Sequence, residues 1–351
     1  MVNMFKVSVQ TVYPSVHSNA DNLELISLDG RQYVVQKGLY NPGDKALAIP
    51  KGALLNHPVF LREWGMYLNG PESNIVGNKI FRGKESEGIV VRQDLLQEMG
   101  FNINDFELDV DISNVLGISK YIPPIPDELK KSVEVYTGNI SKPIKHDCKY
   151  PVVYADKFTN GDNITITSKL HGTQINIIKV PGERIVISSK GLWDDELVFK
   201  QGTNNIYDQA WQNMFNEEFT LNMFIAQLSN IINNDVNDHE LQIIGEVIPA
   251  IKGFNYGLTK PTLYIYSIYV NGYYIDLTLL RRLPNINIVP ELYRGVYDEN
   301  TLELANNFAQ QPVCPIDGIT LNEGVVISNS RHHIKIKNER FLKKHSSDET
   351  T

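Results

Sequence analysis

The chain has 351 residues, of which 42% are hydrophobic and 21% charged, with a formal net charge of −8. That length leaves room for two separately packed cores. No run of about 18 apolar residues occurs, which excludes a membrane-spanning helix. The opening MVNMFKVSVQ lacks the basic-then-apolar order of a secretory signal. The two cysteines, Cys148 and Cys314, form no CxxC pair; they point to a reducing, cytoplasmic setting and away from structural zinc. The acidic balance argues against coating nucleic acid through bulk charge. It leaves room for a local basic patch, and Arg331, Lys335, Lys337, Arg340, Lys343 and Lys344 crowd into one near the end.

The first hundred residues or so read as short strands: FKVSVQTVY, LELISL, QYVVQKG, KALAIP and SEGIVVRQ, separated by Gly, Pro and Asn/Asp turns. Their spacing suits a small β-barrel over residues 1–120. In 121–150 the texture changes. Pro123, Pro124 and Pro126 disfavour both helix and central strand, so this stretch reads as a linker or surface strap. From 151 to 345 the pattern is mixed α and β. NITITSKL, TQINIIKV and RIVISSKG alternate as half-buried strands do. One long helix is expected over about 204–232, where Tyr207, Trp211, Met214, Phe215, Leu221, Phe224, Leu228 and Ile231 recur at helical spacing. Its apolar stripe reads as core. LQIIGEVIP, TLYIYSIYV and EGVVIS follow as strands, and the tail KKHSSDETT, above all 346–351, reads as frayed and flexible.

The residues that carry chemistry lie in the second region. In Ser168-Lys169-Leu170-His171-Gly172-Thr173 a strand-like run ends at a lysine followed by a glycine turn. A lysine at a strand end projects from a rigid base, but it is nucleophilic only when neutral. Burial or a neighbouring cation is expected to lower its pKa. Alone the hexapeptide reads as a solvated surface lysine, as most lysines are. Ser189 and Lys190 end another strand. Glu246 lies in the apolar LQIIGEVIP, where a carboxylate is costly unless it faces outward or binds something. Tyr264 to Tyr269 offers aromatic faces for a base, or ordinary sheet packing. Glu323 opens a very apolar strand. Lys335 and Lys337, two apart, share a strand face, which is tolerated best beside an anion.

The ordered series KLHGT, SSKG, GEV, YIYSIY, EGVVIS and KIK resembles the covalent nucleotidyltransferases, the superfamily of ATP-dependent ligases and capping enzymes, over about residues 150–345. KLHGT resembles the RNA ligase branch. The segments VHSNADNLELISLDG and GLYNPGDKALAIP resemble OB-fold modules of tRNA-binding proteins, and a module placed first is similar to the RNA ligases of the Deinococcus and Naegleria type. The resemblance implies an α+β chain: an OB-like nucleic-acid-binding barrel, then a nucleotidyltransferase domain of antiparallel sheets flanked by helices. It implies an ATP-dependent RNA ligase that joins 3′-OH and 5′-phosphate ends at nicks with an RNA 3′-OH strand, as in RNA repair. The alternatives are a GTP-dependent capping-type guanylyltransferase and an inactive RNA-binding protein. Lys169 matches the lysine that carries AMP. Ser168, Leu170, His171, Gly172, Thr173, Ser189, Lys190, Glu246, Tyr266, Glu323, Lys335 and Lys337 match the nucleotide site. Tyr266 would stack on adenine, and Lys335 and Lys337 would grip the phosphates. Glu323, Glu246 and His171 would hold Mg²⁺ or Mn²⁺ through water. His171 stands where the commonest motif has a carboxylate, and Ser168 where many RNA ligases have Glu. The implied partner is RNA or a nicked RNA-containing duplex, not a membrane, with the enzyme a monomer. Glu87-Gly88-Ile89-Val90-Val91 mimics EGVVIS but precedes Lys169 and is assigned to the barrel.

Overall fold

A computed structural model describes residues 5–345 apart from 139, 141–143, 145, 218 and 281–285. The predicted tail 346–351 lies outside the described residues, as do parts of the 121–150 segment. The chain divides into two compact units, Met1–Pro124 and Ile125–Thr351. No described helix is long and apolar enough to cross a membrane.

In the first unit the strands that organise the core are β1 (Ser8–Thr11), β2 (Leu23–Leu28), β3 (Arg31–Gln36) and β4 (Lys45–Pro50), followed by α1 (Pro58–Trp64), β5 (Lys79–Phe81) and β6 (Gly88–Val91). β1, β4 and β6 are buried along most of their length, Ser8 and Gln10 included, while β2 and β3 are buried only in part. β1 and β6 flank β4 antiparallel, while β2 and β3 form a hairpin in a separate sheet. The Gly88–Val91 run that mimics EGVVIS is thus a sheet strand of this unit. Among the described residues these ladders do not close into a barrel, in contrast to the barrel expected from strand spacing. The reason is local. β3 meets the β6 side through isolated bonds, among them Glu87 N–H to Gln32 O at 2.8 Å and Val34 N–H to Ser86 Oγ at 3.0 Å. Beyond Ser86 the two strands share no ladder.

In the second unit, β7 (Cys148–Lys149) is followed by β8 (Asn163–Ser168), β9 (Thr173–Lys179), β10 (Val186–Ser189) and α2 (Lys190–Asp194). Then come α3 (Ile206–Gln212), α4 (Leu221–Ile232), β11 (Leu241–Ile248) and β12 (Thr262–Val270). β13 (Glu291–Val296), β14 (Gly324–Ser328), β15 (His333–Lys337) and α5 (Glu339–His345) complete it. One sheet has the order β7-β15-β14-β8-β13; another runs β10-β9-β11-β12 and continues to Tyr273–Tyr274. All these pairings are antiparallel except β7 on β15. Val133–Val135, inside the proline-rich stretch, pairs with Leu197–Phe199, so that stretch is woven into this unit's sheets.

Two expectations change. The single helix over 204–232 is two helices, because residues between them turn on side-chain bonds: Asn216 Oδ1 accepts from Phe219 N–H at 2.7 Å, and Thr220 caps α4. The predicted stripe still faces the core. Phe224 and Leu228 of α4 and Met214, just past α3, are buried in one cluster with β9, β11 and β12, and Tyr207 and Trp211 of α3 pack against it partly buried. The tail is ordered further than its composition suggested. Lys343, Lys344 and His345 form the last turn of α5, anchored by the buried Phe341, and cations suit a helix C-terminus.

Candidate active site

Lys169 follows directly on the last residue of β8, a strand held on both sides: its pairing with β14 runs to Ser168↔Val325, and Lys169 N–H donates to Gly324 O at 2.9 Å. Gly324, at φ +143°, also lets β15 come close: a Cβ there would sit 2.1 Å from Ile336 O. The KLHG turn then packs on β11. Gly172 N–H donates to Glu246 Oε1 at 3.0 Å, and a Cβ on Gly172 would lie 2.3 Å from Val247 O. His171 N–H donates to Tyr256 Oη at 2.7 Å, and Leu170 is buried. Glycine is required here because the backbone itself is the packing surface.

Lys169 faces a cavity of about 230 Å³ walled by both sheets. One sheet contributes Thr165, Thr167, Ser328, His333 and Lys335, all on one strand face by register. The other contributes Gln174, Glu246, Tyr266 and Ser267. A β-bulge explains how neighbours Tyr266 and Ser267 both reach the cavity. Ile244 pairs with Ser267 and Gly245 with Ile265, leaving Tyr266 as the extra residue.

The electrostatics centre on Glu323, 2% exposed. Its Oε1 lies 2.7 Å from Lys169 Nζ and 3.6 Å from Lys337 Nζ, and Lys337 is itself only 6% exposed. Its Oε2 is buried with no hydrogen-bond partner; His171 Nδ1 is 3.6 Å away, too far for a hydrogen bond. Burial would raise the Glu323 pKa, but Lys169 and His171 bring it below the ordinary value. Burial likewise works against the charged form of Lys169, yet Glu323 and Glu246 overcome it and hold its pKa above the ordinary value. The expected lowering is therefore reversed in the ligand-free protein, where Lys169 is a clamped ammonium. Glu246 is pushed up to about 7, chiefly by burial and against the pull of Lys169. Burial and neighbouring lysines lower both Lys335 and Lys337.

The other predicted residues divide. Ser168, Leu170 and Lys190 line the cavity with Lys169, Glu246, Tyr266 and Lys335; His171, Gly172, Thr173, Ser189, Glu323 and Lys337 do not. Ser189 caps α2 by accepting from Leu192 N–H, and Thr173 Oγ1 bonds Tyr207 Oη at 2.8 Å. His171 packs edge-on against Phe254 and Phe341. Lys190 Nζ is 3.2 Å from Asp147 Oδ1.

Sequence reasoning missed His146, Cys148 and His333. His333 was findable, since it shares the alternating face of Lys335 and Lys337. His146 and Cys148 carried no signal. They arrive through the parallel pairing of β7 on β15, from a stretch without periodicity. The His146 ring stacks on His333 at 3.8 Å and tilts against Tyr266 at 4.6 Å. Burial drives both imidazoles towards the neutral form, His333 to about 4.

A lysine at a strand end, backed by a buried carboxylate and facing a cavity with a second lysine and an aromatic ring, defines a site for nucleophilic attack on an anionic ligand. The RNA ligase family model matches residues 162–345, just over half of the chain and all of this site's catalytic strands. The chain belongs to the RNA ligase family; it is an enzyme whose substrate class is RNA. It is also similar in structure to two forms of Naegleria gruberi RNA ligase. A lysine-to-alanine mutant with ATP and Mn has 18% identity and a TM-score of 0.47, covering 98% of this chain and 99% of that one. The form with PPi has 18% identity and a TM-score of 0.44, with the same coverage. Family membership rests on the sequence match alone. No curated protein matches the chain in sequence.

Proposed function

We propose that this protein joins RNA ends through an AMP carried on Lys169. Lys169 Nζ attacks the α-phosphorus of ATP; the N–P bond forms, the bond to the bridging oxygen breaks, and pyrophosphate leaves. AMP then passes to a 5′-phosphate end, and a 3′-hydroxyl attacks that activated phosphate and releases AMP. The observation that carries this reading is the Lys169–Glu323 pair at 2.7 Å, set beside a cavity lined by Lys335, Glu246 and Tyr266.

The chemistry follows from the geometry. Phosphoryl transfer needs positioning and charge neutralisation more than covalent help. Lys335 and Lys190 reach the cavity and offset charge on the phosphates. Lys337 bears on Glu323 instead and weakens its hold on Lys169. Lys169 must lose a proton before it attacks, and the Glu323 carboxylate 2.7 Å away favours the ammonium, so a cation that draws Glu323 off Lys169 would favour the neutral amine. The donor set fits a divalent metal held indirectly. No described cluster of three His, Cys, Asp or Glu side chains forms a direct site, while Glu323 Oε2 is buried and unbonded and Glu246 lies near enough to feel its charge. Mg²⁺ or Mn²⁺, when bound, supplies charge neutralisation to the phosphates, with Glu323 and Glu246 holding it through water. His171, packed against two phenylalanines and 3.6 Å from Glu323 Oε2, would join the two carboxylates in holding that metal through water. Tyr266 is the platform for adenine, and that face is shared with His146 in the ligand-free protein. The first unit, read as an OB-like module over residues 1–120, binds the strands flanking the break.

A panel of 5′-phosphate nicks that differ in the sugar of the 3′-OH strand tests this reading. Sealing is expected only where that strand ends in ribose. Equal sealing of an all-DNA nick would remove the RNA 3′-end from the proposal, and adduct formation with GTP in place of ATP would replace ligation by capping chemistry.

A further inference from the structure

The gap left where β3 and β6 part is a second cavity, of about 780 Å³, wholly within the first unit. Its walls are Val34 to Lys37 on one side and Gly88 to Val90 on the other, with buried Val76 and Leu95 also lining it. Four aromatic residues line it as well: the buried Tyr40, Trp64 at the end of α1, Tyr67 just after it, and Phe81 at the end of β5. Tyr67 is 47% exposed, and its ring meets Phe81 edge-on at 5.8 Å. Three cations, Lys37, Lys79 and Arg92, also line the cavity, against the single carboxylate of Glu63. Glu63 is already engaged by Arg62 at 2.9 Å. Arg92 faces Asp94 at 3.0 Å, whereas Lys79 donates to the neutral Asn69 Oδ1 at 2.8 Å and keeps its charge for an anion. Within a chain of net charge −8, this is a local positive rim on an apolar, aromatic hollow.

We propose that this opening binds one or two unstacked nucleotides of the RNA substrate. The inference rests on the RNA-joining reading above and assigns the part of the first unit that carries it out. A volume of several hundred Å³ suits a ligand of nucleotide size. Aromatic rings accept any base by stacking, and lysines at the rim draw the phosphates without reading sequence. Complementary charge also separates this occupant from an apolar peptide, which would leave Lys37 and Lys79 unused.

The test uses the full chain and a fluorescent single-stranded RNA of about twelve nucleotides, with anisotropy read at several salt concentrations. The Lys37→Glu/Lys79→Glu variant is expected to bind about tenfold more weakly, with a salt slope smaller by about 1 to 2. Tyr67→Ala/Phe81→Ala is expected to lose about tenfold with the salt slope unchanged, since it removes stacking alone. Both variants should form the lysine adduct with ATP at the native rate. Native affinity and salt slope in both variants would overturn the inference. So would native RNA binding with an altered oligomeric state, which would make the hollow a protein contact. Failure of the native chain to form any adduct would instead overturn the RNA-joining reading, whatever the groove variants do.

Discussion

Replacing Glu323 by glutamine should separate two effects that usually move together. The glutamine keeps the shape and an acceptor but removes the charge that clamps Lys169 at 2.7 Å. At an effective dielectric near 20, opposite charges at that separation attract by about 6 kcal/mol. Desolvation of a pair this buried offsets much of that. A residue of only ~1.4 kcal/mol still shifts the Lys169 proton equilibrium tenfold. Lys169 in the variant should therefore be more often neutral. It should react at least about tenfold faster with a small amine-directed reagent at mildly alkaline pH, read by mass spectrometry of the peptide containing Lys169. Adenylation from ATP should nevertheless fall by about 10²-fold or more, because the carboxylate proposed to hold the metal through water is gone. Unchanged or slower labelling of Lys169 would refute the reasoning, since it would mean that Glu323 does not hold the ammonium in place.

Glu246, raised from an ordinary 4.5 to about 7 in the folded protein, binds its proton more tightly folded than unfolded. Stability should therefore fall as pH rises from about 4.5 to 7, by on the order of 3 kcal/mol at 1.36 kcal/mol per pKa unit. Denaturant melts of Glu246→Gln should lose that slope, and a slope equal to the native one would assign it to another group. Gly324→Ala should cost about 2 kcal/mol or more and abolish adenylation, because the new Cβ meets Ile336 O at 2.1 Å; a native melting temperature would show that the strands part freely there. His146→Ala frees the face of Tyr266 and should lower the KM for ATP about two- to tenfold, the worth of one ring contact. A raised KM would make His146 a contact of the nucleotide instead.

What the sequence disclosed was whatever local pattern determines. Alternation put Lys335 and Lys337 on one strand face, and an acid at the head of an apolar strand marked Glu323; the structure brings both to Lys169. A turn glycine after Lys169 signalled close packing, and Gly172 indeed touches β11. Pairing across distant segments left no such mark. His146 and Cys148 reach the cavity only because Cys148 and Lys149 pair in parallel with His333 and Ile334. The break between α3 and α4 depends on one asparagine side chain, which helical periodicity does not register. The direction of the Lys169 shift was also hidden, since it turns on a carboxylate more than 150 positions away, brought 2.7 Å from its amine by the β8–β14 pairing.

The AMP carrier itself can be identified directly. The full chain is incubated with ATP labelled at the α-phosphate and a divalent metal, denatured, digested and sequenced by mass spectrometry. The account predicts one AMP adduct, stable to alkali and labile to acid as an N–P bond is, on Lys169, absent from Lys169→Ala and released by pyrophosphate. An adduct on another residue, or none with ATP, would contradict it.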